Sequence, residues 1–377
     1  LTTSMDVLVS GEDDSEVRRI SLTNSGRKPR EIEVTSYAEL VLTSALADAA
    51  HPAFAKMFVE TEYLPELEAI VATRRRRSPS EPEIWAAHFA IVEGEITAAP
   101  QYETDRLKFL GRNRSFANAK AFAEDQPLSN TVGTVLDPVF SLRQRVRIAP
   151  GEVARIAFWT VLASSRAELI DLIDKHNDRN AYDRAKTLAW TQAQVQLHHL
   201  NIASDEAADF QRLAAPVLYA DARFRPPSAA ITAGAGRQSA LWPMAISGDR
   251  PIVLLRISDI EDLPQVRQLL RVHEYWRMKG LDTDLVVLND RSSSYVQDLQ
   301  SGIEAAMRSS QAKPRFGDEN PKGSVYLPRT ALIRRHARAC LLSVAPRSLL
   351  PQHGSVPDQP PPLHTPTNVP PLAPRLT

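Results

Sequence analysis

Phe140-Ser141-Leu142-Arg143-Gln144-Arg145-Val146-Arg147-Ile148 runs through the turn Ala149-Pro150-Gly151-Glu152 into Val153-Ala154-Arg155-Ile156-Ala157-Phe158-Trp159. In the first run Phe140, Leu142, Val146 and Ile148 fall on one face of an extended chain, and Ser141, Arg143, Arg145 and Arg147 on the other. A period of two, punctuated by Pro and Gly, is the signature of antiparallel strands with one buried face. Working outward, Val17–Thr23 and Arg30–Tyr37 repeat the alternation around the turn cluster Asn24-Ser25-Gly26-Arg27-Lys28-Pro29, which predicts a hairpin. Ile84–Val92 adds a further run. Extended over residues 1–163, the pattern predicts a large antiparallel β-sandwich.

Near residue 164 the period changes. Ser164-Ser165 precede Ala167-Glu168-Leu169-Ile170-Asp171-Leu172-Ile173, a helix start with an N-cap. Helical stripes follow over Asn180–Leu200, Ser204–Tyr219 and Leu263–Lys279. Ile252–Ile257 and Asp284–Leu288 are short β-branched apolar runs, and spacing does not separate strands from buried helix pieces there. From Pro351 onward nine of 27 residues are proline, so a disordered tail is expected over 346–377.

Composition narrows the function. The 377 residues carry 45 Lys+Arg and 45 Asp+Glu, which removes the basic balance of a nucleic-acid binder. Cys340 is the single cysteine, so neither a disulfide framework nor a cysteine zinc site is available, and a reducing compartment is the default. No window approaches about 18 consecutive apolar residues, so no membrane-spanning helix is predicted. No signal peptide is recognised, and the opening Leu1-Thr2-Thr3-Ser4 reads as a start within a longer protein.

Four segments are candidates for chemistry. Arg74–Arg77 reads as a solvated loop before a phosphate contact. His198 and His199 diverge by about 100° on a helix and lack metal-site spacing, which predicts one buried and one exposed imidazole. Asp105 and Arg106, within Tyr102–Arg112, either pair with each other in a structural loop or meet a sugar. In Ser239–Pro251, Trp242 offers a flat apolar face, and Ser247 and Asp249 offer hydroxyl partners. The bland alternative is a helix-end turn with Trp242 in the core.

Taken together, these segments resemble glycoside hydrolase family 94, and within it the phosphorylase-like region of bacterial cyclic β-1,2-glucan synthases. The likeness is carried by Glu12–Asn24, Thr35–Glu39, His51–Phe54, Phe58–Tyr63, Tyr102–Arg112, Val135–Arg143 and Trp242–Pro251. It implies a large sandwich (supersandwich) over 1–163, a helical linker over 164–200 and the start of an (α/α)6 barrel over 201–345. It also implies inverting phosphorolysis of a β-glucosidic bond: inorganic phosphate is the co-substrate, an Asp is the general acid, and no metal or organic cofactor takes part. The implied partners are β-1,2-glucan, the rest of a synthase chain and a second copy, with no nucleic acid, and the implied place is the cytoplasmic face of the bacterial inner membrane. Ala245 stands where the family usually has Gly, and Arg250 where it usually has an apolar residue. The family's general-acid Asp and phosphate site have no counterpart among these residues, so the resemblance leaves catalytic residues unassigned and the chain inactive alone. A non-catalytic carbohydrate-binding or docking sandwich and a decayed gene product are the alternatives.

Overall fold

The computed structural model describes residues 1–123, 126–219, 226–291, 298–310 and 323–345, and the backbone of 347–349. The expected tail therefore lies outside the described residues apart from that strand. The chain divides into two units, Leu1–Gln194 and Val195–Thr377.

Among the described residues the first unit contains twelve strands and, before the longer helices, the short helices α1 (Ala45–Ala50), α2 (Pro52–Lys56) and α3 (Arg106–Leu110). The strands are β1 (Thr2–Val9), β2 (Ser15–Thr23), β3 (Arg30–Thr35), β4 (Ala38–Glu39), β5 (Val59–Leu64) and β6 (Ala69–Arg74), then β7 (Trp85–Glu93), β8 (Glu95–Ile96), β9 (Gln101–Asp105), β10 (Gly133–Thr134), β11 (Pro138–Ile148) and β12 (Val153–Ala163). A seven-stranded sheet has the order β1-β2-β12-β7-β6-β5-β10. A five-stranded sheet is built on β11, which pairs with β3, β4, β8 and β9. All pairings are antiparallel.

Between the sheets lie Leu22, Ile70, Ala86, Phe140, Leu142, Val146, Ile148, Ile156 and Phe158. The larger sheet buries its other face, with Val71, Phe89, Ala157 and Trp159, against α4 (Arg166–His176) and α5 (Ala181–Leu200). Ser165 caps α4 by accepting from the Glu168 N–H at 3.2 Å. By its packing, the first helix expected in the linker is thus a layer of the sandwich unit.

The expected hairpin between β2 and β3 does not form. β2 joins the larger sheet and β3 the smaller, so the turn cluster is a crossover between layers. The turn from β11 to β12 crosses back. Asn24, fully buried, ties the two crossovers: its Nδ2 donates to Lys28 O at 2.8 Å and to Ile148 O at 2.9 Å, and its Oδ1 accepts from Gly26 N at 3.1 Å. Turn composition signals a change of direction, but it does not say which layer the chain enters next.

His88 of β7 is the polar centre of the interlayer core. Its Nε2 lies 2.7 Å from Ser36 Oγ and its Nδ1 3.0 Å from Thr160 Oγ1. Its ring stacks on Phe140 at 5.6 Å and on Phe158 at 5.9 Å. Burial pushes this imidazole down to about 4. On the opposite face, Asp13 binds Lys175 at 2.8 Å and His176 at 3.0 Å and so fastens the end of α4.

The second unit contains α6 (Ser204–Leu218), α7 (Ser228–Ala233), β13 (Ile252–Ile257), α8 (Leu263–Met278), β14 (Asp284–Asn289), α9 (Asp298–Ser309), β15 (Val325–Tyr326), α10 (Arg335–Val344) and β16 (Arg347–Leu349). The strands form one parallel sheet in the order β15-β14-β13-β16. Numbered by their succession, this is 3-2-1-4, the order of a doubly wound α/β sheet. Val253, Leu255, Leu285 and Val287 pack on one side with Phe210, Leu269, Trp276 and Ile303 of α6, α8 and α9. Leu254, Val286 and Leu288 pack on the other with Leu241, Ile246, Cys340 and Leu341. The expectation of an opening (α/α)6 barrel over 201–345 is corrected here: two six-residue segments with apolar centres buried on both faces satisfy their backbone as parallel strands, and helices alternate with them.

Three outcomes are expected. Asn24→Ala leaves buried carbonyls unpaired and lowers sandwich stability by roughly 2–4 kcal/mol in guanidinium unfolding. The native state cannot protonate His88 between its unfolded value of about 6.5 and its folded value of about 4, whereas the unfolded chain can. The stability this contributes is complete above the upper value and is lost as pH falls through the lower one. His88→Gln should therefore flatten that part of the stability curve, and curves that stay parallel would refute the assignment. Ala245 holds φ at 62°, a left-handed conformation that disfavours any Cβ. Ala245→Gly should raise the stability of the second unit by about 0.5–1 kcal/mol, read as a shift in the denaturation midpoint.

Candidate functional site

In the first unit the Asp105–Arg106 segment is held from beneath by Glu103, whose carboxylate is almost completely buried. Glu103 Oε1 accepts from the N–H groups of Thr104 and Asp105 at 3.0 Å each, and Oε2 accepts from the backbone N–H and hydroxyl of Ser129. A carboxylate so supplied with donors is a rigid support. Above it, Asp105 caps the one-turn helix α3 (Arg106–Leu110) by accepting from Leu107 N at 2.9 Å. Arg106 turns away from Asp105: its Nε donates to Glu39 Oε1 at 2.9 Å and its Nη1 lies 3.5 Å from Asp137 Oδ2. The two side chains do not pair with each other. Asp105 serves the backbone, and Arg106 centres a separate cluster.

That cluster gathers Tyr37, Glu39, Lys56, Arg106 and Asp137. Lys56 Nζ donates to Asp137 Oδ1 at 2.8 Å, and Tyr37 OH donates to Glu39 Oε1 at 3.1 Å. Burial and the adjacent Glu39 charge push the Tyr37 phenol up to about 12. Burial alone would raise Glu39, but hydrogen bonds from Arg106 and Tyr37 outweigh it and hold the carboxyl below its usual range. The Tyr37 ring packs on Phe109 at 4.8 Å and edge-on to Phe116 at 4.6 Å. Phe116 is 50% exposed. Half-exposed planar polar groups beside an open aromatic edge can hydrogen-bond hydroxyls and cover a sugar ring. Spacing offered no route to Lys56 and Asp137, because the cluster is assembled from four segments.

In the second unit the Trp242 turn is anchored by its neighbours. Leu241 and Ile246 are buried in the sheet-facing core, while Trp242 is 62% exposed. The alternative that placed Trp242 in the core is overturned. Gln238 Nε2 donates to Ser247 O at 2.8 Å and to Asp249 Oδ1 at 2.9 Å, and Asp249 N donates to Ser247 Oγ at 3.3 Å. Ser247 and Asp249 are thus brought together through Gln238, a residue the spacing did not single out. Arg250 adjoins Asp284, whose carboxyl burial pushes up and whose Oδ1 accepts from Ser324 N at 3.0 Å. A cation near that buried acid gives Arg250 an electrostatic reason to replace an apolar residue.

The remaining candidates resolve simply. Arg74 and Arg77 pair with Glu81, Arg75 with Glu60 and Arg76 with Glu83. His198 and His199 are both exposed, where one buried ring was expected. Among the described residues no three His, Cys, Asp or Glu side chains are grouped to hold a metal ion.

Comparison with known proteins follows the division of the chain. The model of "Glycosyl hydrolase 94, supersandwich domain" matches residues 1–179. The cyclic beta-(1,2)-glucan synthase NdvB of Rhizobium meliloti (strain 1021) is 39% identical over 359 residues, 95% of this chain and 13% of its own length. The solabiose phosphorylase of Paenibacillus borealis is 30% identical over 146 residues, 39% of this chain and 18% of its own. The chain therefore spans less than a fifth of either relative. Residues 1–179, with their two antiparallel sheets and covering helix, belong to the glycosyl hydrolase 94 family as its supersandwich domain.

Proposed function

We propose that this chain is a substrate-contacting segment of a cyclic β-1,2-glucan synthase and that, in the whole protein, its region takes part in inverting phosphorolysis of β-1,2-glucan that sets chain length. The observation that carries the reading is the similarity along 95% of the chain to a synthase of that name. The solabiose phosphorylase relative supports the reaction class. In such a reaction phosphate attacks the anomeric carbon, and an acid protonates the departing oxygen. We assign neither role to a residue of this chain. Its contribution is contact: Trp242 as a stacking face, Ser247 and Asp249 as hydroxyl partners, and, in the other unit, the Arg106 cluster with Asp105 as its cap. The partners are β-1,2-glucan, the rest of the synthase and a second copy. The location is the cytoplasmic face of the inner membrane, and no helix among the described residues is long and apolar enough to cross it.

A second reading, a non-catalytic glycan-holding module, is favoured by the exposure of Trp242 and Phe116 on surfaces that carry no assigned general acid. The isolated chain tests what the two readings share, and the whole synthase separates them. Both readings expect no phosphate-dependent release of glucose 1-phosphate from β-1,2-glucan, because a general acid contributes on the order of 10²–10⁴-fold and none is assigned here. Release above blank would refute both. In the whole synthase, Trp242→Ala and Asp249→Asn should each weaken glucan turnover with a nearly unchanged thermal midpoint. Loss of one such contact corresponds to roughly 1–3 kcal/mol. Retention of the isolated chain on immobilised β-1,2-glucan, with normal turnover in both whole-synthase variants, would favour the holding module.

A further inference from the structure

The second unit holds a cleft of about 1420 Å³ that the readings above do not use. Its walls come from the turns before β13, from α9, and from edge strand β15 with the connection that leads into α10. In doubly wound sheets, ligands settle outside the carboxyl ends of the strands, where connections to helices leave room. The β15–α10 connection is such a place.

The charge of the lining is one-sided. Arg237, Arg329, Arg334 and His336 face the cleft, and Glu304 is the acid among the described lining residues. Glu304 approaches Arg329 at 3.9 Å and also accepts from Gln300 at 3.1 Å. The side chains of Arg237, Arg334 and His336 have no hydrogen-bond or ion-pair partner among the described residues. Arg334 and His336 flank the start of α10, which has no acidic residue in its first turn and no side-chain cap. The Arg334 guanidinium there opposes the positive end of the helix dipole, an arrangement that folding alone does not favour. Met244, Leu327, Leu332 and Ile333 add apolar walls beside the cations.

We propose that this cleft is a phosphate-binding site, with the dianion received by Arg237, Arg329 and Arg334 and with room for an organic body against the apolar wall. Guanidinium forks match phosphate oxygens in pairs and need no loss of a proton to do so. The inference rests on the second unit alone and stands apart from the glucan reading.

The test is a calorimetric titration of the whole 377-residue chain with inorganic phosphate and, separately, with α-glucose 1-phosphate, against sodium chloride of matched ionic strength. Saturable binding absent from the chloride control is expected. Tighter binding of the sugar ester identifies an organic phosphate as the source, and equal binding identifies free phosphate. The double substitution Arg237→Gln with Arg334→Gln should weaken binding at least tenfold. Arg335→Gln, which removes an exposed cation outside the cleft, should change it less than twofold. No saturable binding with either phosphate, or equal weakening by Arg335→Gln, overturns the proposal. A thermal midpoint in chloride that the double variant leaves in place shows that its effect is not misfolding, and Arg237→Gln alone, at a position on an exposed turn, provides the same reading should the double variant fail to fold.

Discussion

The sandwich unit depends on one condition: each polar group trapped between its sheets must be paired while carrying no net charge. His88 meets it. Two hydroxyls, one from each layer, take its ring nitrogens, and two phenylalanines close over its faces. Only the neutral imidazole suits such a place, because a charge there would lose its water and gain no counterion. Asn24 meets the same condition at the rim, where its amide joins the carbonyls of two crossovers that would otherwise be buried without partners. With the layers fixed in this way, the larger sheet offers its outer face to α4 and α5. The smaller sheet can then carry Glu103 and the loop it holds at the edge.

The second unit follows another logic. Its strands are parallel and covered on both faces, so their interiors have little capacity for polar groups. Charged chemistry is displaced to strand ends. Asp290, just past β14, takes Arg256 at 2.6 Å and Arg338 at 3.0 Å, and its other backbone neighbours continue the ladder. In the β15–α10 connection Arg329 has only the more distant Glu304, at 3.9 Å, and Arg334 has no ion-pair partner among the described residues. One strand end is closed by an internal ion pair and the next is left electrostatically open.

Much of the first unit was legible because alternation survives in single strands. Leu142, Val146 and Ile148 face the core as the period requires. Layer assignment was not legible, since the Asn24 cluster has the same composition whether it closes a hairpin or a crossover. For β13 and β14, runs of four apolar residues, Ile252–Leu255 and Leu285–Leu288, fit either period, and only their pairing decided the matter. At the candidate sites the residue types were visible and the partners were not. Asp105 and Arg106 are adjacent in sequence yet serve a helix cap and a distant glutamate. Lys56 and Asp137 join Arg106 from segments separated by tens of residues, which no local pattern encodes.

The Trp242 turn is where local rules are broken together. Ala245 occupies a left-handed conformation at φ 62°, and the bulkiest side chain of the turn lies mostly in water. Leu241 and Ile246 already anchor the segment, so neither feature is needed to hold it on the sheet. Strain disfavours the folded chain by about 1 kcal/mol or more, and a ring left in water contributes little stability through burial. Departures of this kind concentrate where a surface is shaped for a ligand, because the contact made on binding offsets what the free protein lacks. Ser247 and Asp249 are meanwhile held in place by Gln238, so the polar groups beside Trp242 are ordered before any partner arrives. An exposed ring next to preordered hydrogen-bonding groups loses little freedom on contact with a sugar, and this is the physical reason to look for glycan at this turn ahead of the charged Arg106 cluster, whose groups already satisfy one another.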